Sequence, residues 1–510
     1  MRLPPVSPTP AGAAAPAANS RTYKVLALSL GSVLSMLASI VLAMVAARHL
    51  SKHDYATLRQ TFLVYEFAAP LLILGLPNAL YYFLPRTDSD KRGVLIDNLA
   101  LLCGLGLLFT VFLAIGGLQF LADRFDNADL RQTLPWMAFY PLLMTPIAGM
   151  SAAMVVAGKV RELAVYNVLT SLALALTGIG AILLTLSYEA PVLARILVAA
   201  TALPVGIWMM FRAHPGPIRG PRRNSMDETL RYAAPLGLAT MLGTLTMQLH
   251  AVVVAAMCSP EQFAIYINGA VEIPIIGIVA GSITTVIFAD MSAACARGDK
   301  PEALRLFQVA SHRSACILMP TMFFFAVCAE VFIIFMFSTT YRDSTTPFLI
   351  YLTVLPARIV VWGAAMMALG MSRAILVRSA VDLAVNAVFC YVFVMAFGYI
   401  GAAMGLAATL YLWTVPYNLA KIAKGFGVHW TALLPWRRLA GVSGIALGAL
   451  PFAVVALMLS ANWPAAARLG AALTCYTIVY GYWMYRAQHI DLPMTLTARL
   501  PAVLRRRGLT

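Results

Sequence analysis

Seven ionisable side chains, Glu66, His250, Glu272, Asp290, Glu330, Arg358 and Asp382, fall inside long apolar runs of this 510-residue chain. A charge in the hydrocarbon of a bilayer costs roughly 2.5–3.5 kcal/mol on insertion scales, so each must find a partner, a hydrated cavity or a function. Asp290 and Glu330 lie near run ends, where a side chain reaches the interface. Asp382 stands within pairing reach of Arg378 and Arg373. Glu66, His250, Glu272 and Arg358 sit deeper. Arg358, two residues after Pro356, is the most costly of them: its planar, permanently charged fork suits a phosphate, or equally a buried carboxylate. Thr240, Thr244 and Gln248 recur at helical spacing, with Thr246 beside them. Such a stripe either lines water or bonds a neighbouring helix. Arg48, Lys52 and Arg59 cluster at a polar elbow, where they would be solvated or would receive an anionic head group.

The elements that must position these groups are membrane-length helices. Val25 to Ala47 is a run of 23 residues without a formal charge, enough at about 1.5 Å per residue to cross roughly 30 Å of hydrocarbon. An elbow from Arg48 to Tyr55 follows, and Thr61 to Leu84 carries Glu66 and Pro70 before a Gly75, Pro77 and Pro85 exit. Further runs at about 94–119, 134–157, 163–186 and 190–211 complete a first set of six. Residues 212–231, rich in Pro, Gly and Arg, read as a linker. Six more runs occupy residues 232–420, and two occupy residues 421–487. The expectation is an all-α polytopic membrane protein of about fourteen spans: a bundle over 25–211, a second over 232–420, and two additional helices. A Pro- and Ala-rich disordered tail over 1–24 and a basic tail over 488–510 flank them.

Composition agrees, and excludes other classes. The chain is 61% hydrophobic and only 11% charged, against about 25% charged in soluble domains. The net charge of +16 comes from Lys and Arg in short loops, not from a stripe that would bind nucleic acid. Seven scattered cysteines form no C-x-x-C pair, and neither a phosphate-binding Gly-rich Lys loop nor a G-x-S-x-G turn occurs. No cofactor and no metal is expected. Alternate loops divide the 37 Lys and Arg as 28 to eight, with Arg358 left inside a span, which favours both termini on the cytoplasmic side. Ala296 to Arg313 is amphipathic and is expected to lie along the membrane surface.

The two halves echo each other. Leu50-Ser-Lys-His-Asp-Tyr-Ala56 and Cys258-Ser-Pro-Glu-Gln-Phe-Ala264 each follow the first run of their half, and each precedes a run with a carboxylate and a proline. That pattern indicates a parallel repeat whose two bundles rock about a central site.

Leu50 to Ala56, then Leu74-Gly-Leu-Pro-Asn-Ala-Leu-Tyr-Tyr-Phe-Leu-Pro-Arg86, then Cys258 to Tyr266 leading to Ala296-Arg-Gly-Asp-Lys-Pro-Glu-Ala-Leu-Arg305, resemble the polysaccharide flippases. These are the Wzx-type members of the multidrug/oligosaccharidyl-lipid/polysaccharide (MOP) exporter superfamily. Ala56, where relatives often carry Gly, and His250, where many carry an acid, depart from the pattern. The resemblance implies two six-helix bundles around a V-shaped cavity, with Glu66, His250 and Glu272 on it. It also implies a non-enzymatic carrier of the inner membrane that flips a polyprenyl-diphosphate-linked oligosaccharide to the periplasmic leaflet. Its partners would be that lipid-linked sugar, membrane lipids and the polysaccharide polymerase or chain-length machinery. Two alternatives stand beside this: a cation-coupled multidrug exporter of the same superfamily, and a membrane-embedded polymerase or ligase. The latter usually needs a large outer loop, whereas the longest here, Phe120 to Thr133, has 14 residues.

Overall fold

In the computed structural model the described residues are 18–87, 90–271 and 273–487. They form fourteen helical runs in the order of the apolar segments: α1 (Ala18–His49), α2 (Lys52–Arg86), α3 (Lys91–Arg124), α4 (Leu130–Val156), α5 (Val160–Thr185), α6 (Glu189–Ala213) and α7 (Arg223–Met257). Next come α8 in two pieces (Pro260–Gly269 and Pro274–Ala296), α9 (Lys300–Phe337), and α10 as a bent pair (Thr339–Leu352 and Leu355–Ala368). The last four are α11 (Ser372–Phe397), α12 (Tyr399–Phe426), α13 (Trp436–Leu459) and α14 (Ala465–Arg486). Ten of these are long and apolar enough to cross a membrane, or eleven with the bent pair. Among the described residues there is no strand. The chain is a multi-pass membrane protein. The sequence tails before Ala18 and after Ala487, and Glu272, lie outside the described residues.

The echo between the halves has a local cause. Ser51 caps α2, its side chain accepting the Asp54 backbone N–H, and Ser259 caps α8 in a reciprocal box with Gln262. Each satisfies backbone donors that have no partner within the helix. Packing follows the order of the chain. The run α1 lies against α5, α5 against α6, and α6 against α4; beyond the linker, α7 lies against α11, α11 against α12, and α8 against α9. The pair α13 and α14 packs on α9, where Tyr480 donates to the Cys316 carbonyl at 2.7 Å and Tyr476 meets Phe324.

Ala296 to Arg313 is not a separate surface helix. Its greater part is the start of α9, a continuous 38-residue helix, because Phe307 and Ala310 are fully buried and Phe307 packs against Trp362 and Phe426. The linker is also shorter than its composition indicates, running between Ala213 and Arg223. It is bolted down: Arg219 donates to both oxygens of the fully buried Asp97 at 2.9 and 2.7 Å, and to Asp90 at 2.7 Å. His214 places Nε2 2.9 Å from the Ala153 carbonyl. The bonds to Asp97 hold the Arg219 guanidinium above its ordinary value, whereas burial, with Lys91 and Lys159 near, pushes the His214 imidazole down.

Candidate functional site

Two cavities, one in each half, carry Glu66, Arg358 and Asp382 of the membrane-embedded charges. The first, of about 170 Å³, lies among α1, α2, α5 and α6 and is lined by Arg59, Glu66 and Arg195. Its shape follows from small residues on one side, Ala43, Ala46 and Gly178, facing Tyr55 and Phe62 on the other. Arg195 lies under aromatic rings, its guanidinium carbon 4.3 Å from the Phe62 centroid and 4.9 Å from that of Tyr140. Aromatic faces stabilise a desolvated guanidinium. The buried Arg195 Nε has no hydrogen-bond partner among the described residues, a donor left over for something else.

The second cavity, of about 480 Å³, lies among α7, α8, α10, α11 and α12, with Arg358, Arg378, Asp382 and Asn386 on its walls. Broken helices make it. The bent pair α10 turns by 44°, and Val361, between its short pieces, has left helical geometry beside Arg358. The run α8 is interrupted before Pro274, and α12 carries a π-turn at Leu410–Thr414. Backbone that departs from the α-helix inside a membrane survives where protein or water meets its polar groups. Asp382 accepts from Thr414 at 2.9 Å and lies 3.5 Å from the Arg378 Nε, the pairing expected from the sequence. Glu330 pairs with Arg342 at 2.9 Å, near the end of its helix.

The remaining sequence candidates divide. His250 is buried, with Nδ1 2.9 Å from the Tyr266 hydroxyl and its ring against Tyr266 and Tyr351, and it lines neither of these cavities. Thr244 is exposed and its hydroxyl bonds back to Thr240 at 3.0 Å; Gln248 is half-buried. The α7 face that meets the second cavity is instead Gly243, Thr246 and Met247. Of the elbow cations, Arg59 enters the first cavity, Arg48 donates to the Phe335 carbonyl of α9, and Lys52 is half-buried at the start of α2. Arg195 is the residue that sequence reading missed, because it was counted with the loop charges; a cation two turns inside an apolar run was the available signal.

The halves meet at both ends. At the elbow end, His53 lies 3.1 Å from Asp129 and 3.1 Å from Glu261 of α8, so one imidazole clasps a carboxylate from each half. Tyr55 donates to Asn268 at 2.6 Å in a buried contact, and Arg124 to the Ala256 carbonyl at 2.6 Å. The Glu261 carboxyl lies below its ordinary value, chiefly through its own backbone N–H, with Ser259 and His53 adding to the effect. At the linker end, Tyr82 and Tyr232 stack at 4.4 Å. There α2 bends after Pro70, with Leu74 (φ 41°) and Gly75 (φ 73°) both left-handed, and its backbone presses on Gly237 of α7. A Cβ on Gly75 would come within 2.5 Å of the Gly237 Cα, so only glycine fits at this crossing.

A helical membrane protein whose halves touch at both ends, with a charged cavity within each half and broken helices at one of them, has the general architecture of a membrane transporter. The comparisons agree at the level of fold. The chain superposes on a lipid II flippase MurJ in an inward closed conformation with a TM-score of 0.71 at 11% identity, covering 90% of this chain and 99% of that one. An inward-facing multidrug resistance MATE family transporter of the MOP superfamily gives 0.62 at 14% identity, covering 82% and 99%. A MOP superfamily transporter from Pyrococcus furiosus, described as having a binding pocket of reverse polarity, gives 0.55 at 14%, covering 82% and 96%. No curated protein sequence matches. The family described as polysaccharide biosynthesis protein matches residues 30–346, and the chain belongs to that family. The expected recognition and fold class hold, and neither the family nor these neighbours are enzymes.

Proposed function

We propose that this protein is a flippase that carries a polyprenyl-diphosphate-linked oligosaccharide from the cytoplasmic to the periplasmic leaflet of the inner membrane, by alternating access between two six-helix bundles. The observation that carries the reading is the sign of the first cavity, where Arg59 and Arg195 line the walls with Glu66; Arg358, Arg378 and Asp382 line the second. Among the described residues the first cavity holds one more cation than carboxylate, which suits an anionic diphosphate and disfavours the amphipathic cations that a multidrug exporter would carry. The family description and the name of the MurJ neighbour point to lipid-linked sugars as well. In this reading Arg195 and Arg358 receive the diphosphate, Glu66 orients Arg195, and the polyprenyl tail stays between helices. Both termini face the cytoplasm, as the 28 to eight charge distribution favours. Moving about two negative charges out of a negative-inside cell is favourable by up to roughly 4–5 kcal/mol per 100 mV.

Deleting the gene in its host and extracting lipid-linked oligosaccharides tests this. The expected result is accumulation of the lipid-linked unit on the cytoplasmic side with loss of the surface polymer. Unchanged polysaccharide with raised sensitivity to cationic drugs would refute it in favour of drug export.

A further inference from the structure

The runs α5 and α6 enclose a second concavity at the linker end, of about 810 Å³, that shares no residue with the first charged cavity. Its rim carries Lys159, Arg161 and Arg212 against one carboxylate, Glu162, which is 3.8 Å from Lys159. The Arg212 guanidinium carbon stands 5.1 Å from the Trp208 ring centroid. Below the rim the walls are apolar and open to the outside: Val165, Leu169 and Val205 are 50, 61 and 47% exposed, and Trp208 is 56% exposed. Exposed apolar side chains on a membrane helix meet lipid, so the groove has a cationic, aromatic mouth at the level of the head groups and a hydrocarbon-lined body beneath it.

We infer that this groove binds an anionic phospholipid, its phosphate held by Lys159, Arg161 and Arg212 and its acyl chains laid along Val165, Leu169 and Val205. Charge complementarity selects the occupant, because a zwitterionic lipid offers no net charge to an excess of two cations. The apolar walls select a lipid over a soluble phosphate. This site is separate from the cargo path, and its occupancy does not depend on what the protein carries.

The test uses the full chain in nanodiscs of phosphatidylcholine, doped in parallel with phosphatidylglycerol or phosphatidylcholine bearing brominated acyl chains, which quench nearby tryptophan. The Trp208 signal is the difference between the natural chain and Trp208→Phe, since seven other tryptophans contribute a common background. Brominated phosphatidylglycerol is expected to quench Trp208 at a lower mole fraction than brominated phosphatidylcholine. Arg161→Gln, Arg212→Gln and Lys159→Gln should each reduce that preference by about fivefold. Equal quenching by the two lipids overturns the inference. So does a preference that survives all three substitutions, or one erased by millimolar inorganic phosphate, which would mark a site for small anions. Three independent single variants keep the test open if any one of them fails to fold.

Discussion

Placing one methyl group at Gly237 should hold the linker end of the molecule open. A Cβ there would meet the Leu74 carbonyl carbon, lie 2.5 Å from the Leu74 oxygen and 2.6 Å from the Gly75 nitrogen, all backbone atoms of α2 that cannot rotate away. Ordinary contact begins near 3.4 Å, so α7 and α2 must separate by about 1 Å at this crossing. Overpacking of this kind costs about 1–3 kcal/mol. Because the strain exists only when the two helices are closed, opening relieves it, and the closed population should fall by about 5- to 150-fold relative to the open one. Helix propensity acts the other way: in an isolated helix, Gly to Ala is worth about 1 kcal/mol of stabilisation. The sign of the result therefore separates a local effect from a gate. With the native cysteines replaced, Tyr82→Cys and Tyr232→Cys report closure through the rate of disulfide formation across the stacked pair. Slower cross-linking in Gly237→Ala supports the gate. Unchanged or faster cross-linking together with a raised melting temperature refutes it.

Four further outcomes are expected. Arg195→Gln should abolish flipping in reconstituted vesicles while the protein still accumulates in the membrane; full activity would remove Arg195 from the transport path. Arg358→Ala should do the same, and failure of that variant to accumulate would identify Arg358 with a structural pair instead of the cargo. Arg219→Ala leaves Asp97 buried without its counter-ion, with only neutral donors such as the Arg222 backbone N–H, and should cost about 3–5 kcal/mol in detergent unfolding, an idea that a melting curve identical to the parent's would end. His214 has its imidazole value lowered by burial, so its contribution to the linker contact is present above the ordinary value of 6.5 and is lost as pH falls through the lowered one. Hydrogen exchange over residues 214–222, corrected for intrinsic rates, should rise on acidification in the natural chain and lose that pH dependence in His214→Gln.

Helix positions were legible because hydrocarbon imposes long apolar runs, and each of the fourteen runs holds helix. The breaks in α8 and α10 come just before Pro274 and Pro356, each in the first turn of the next helical piece, because proline disfavours helix in the residue ahead of it and lacks the N–H that a helix interior needs. What stayed hidden depends on distance along the chain. Asp97 looks like an isolated acid near a helix start until Arg219, 122 residues later, closes on it. Arg195 looks like a loop cation until Phe62 and Tyr140 are brought over it. The family resemblance places His250 on a cavity, yet its Tyr266 partner, 16 residues on, holds it in a buried aromatic cluster.

The latch between Asp97 and Arg219 also sets a timetable for biogenesis. Asp97 enters the membrane with α3, but its counter-ion is synthesised 122 residues later. At about 5–20 residues per second of translation, that leaves the carboxylate waiting for about 6–24 s. During that interval the first six helices cannot reach their final arrangement, so the unit that matures as one piece extends to Arg222, whose backbone also donates to Asp97. A gene divided just before the linker would therefore yield a first fragment that is held for quality control, whereas a division after Arg222 would release one that has settled.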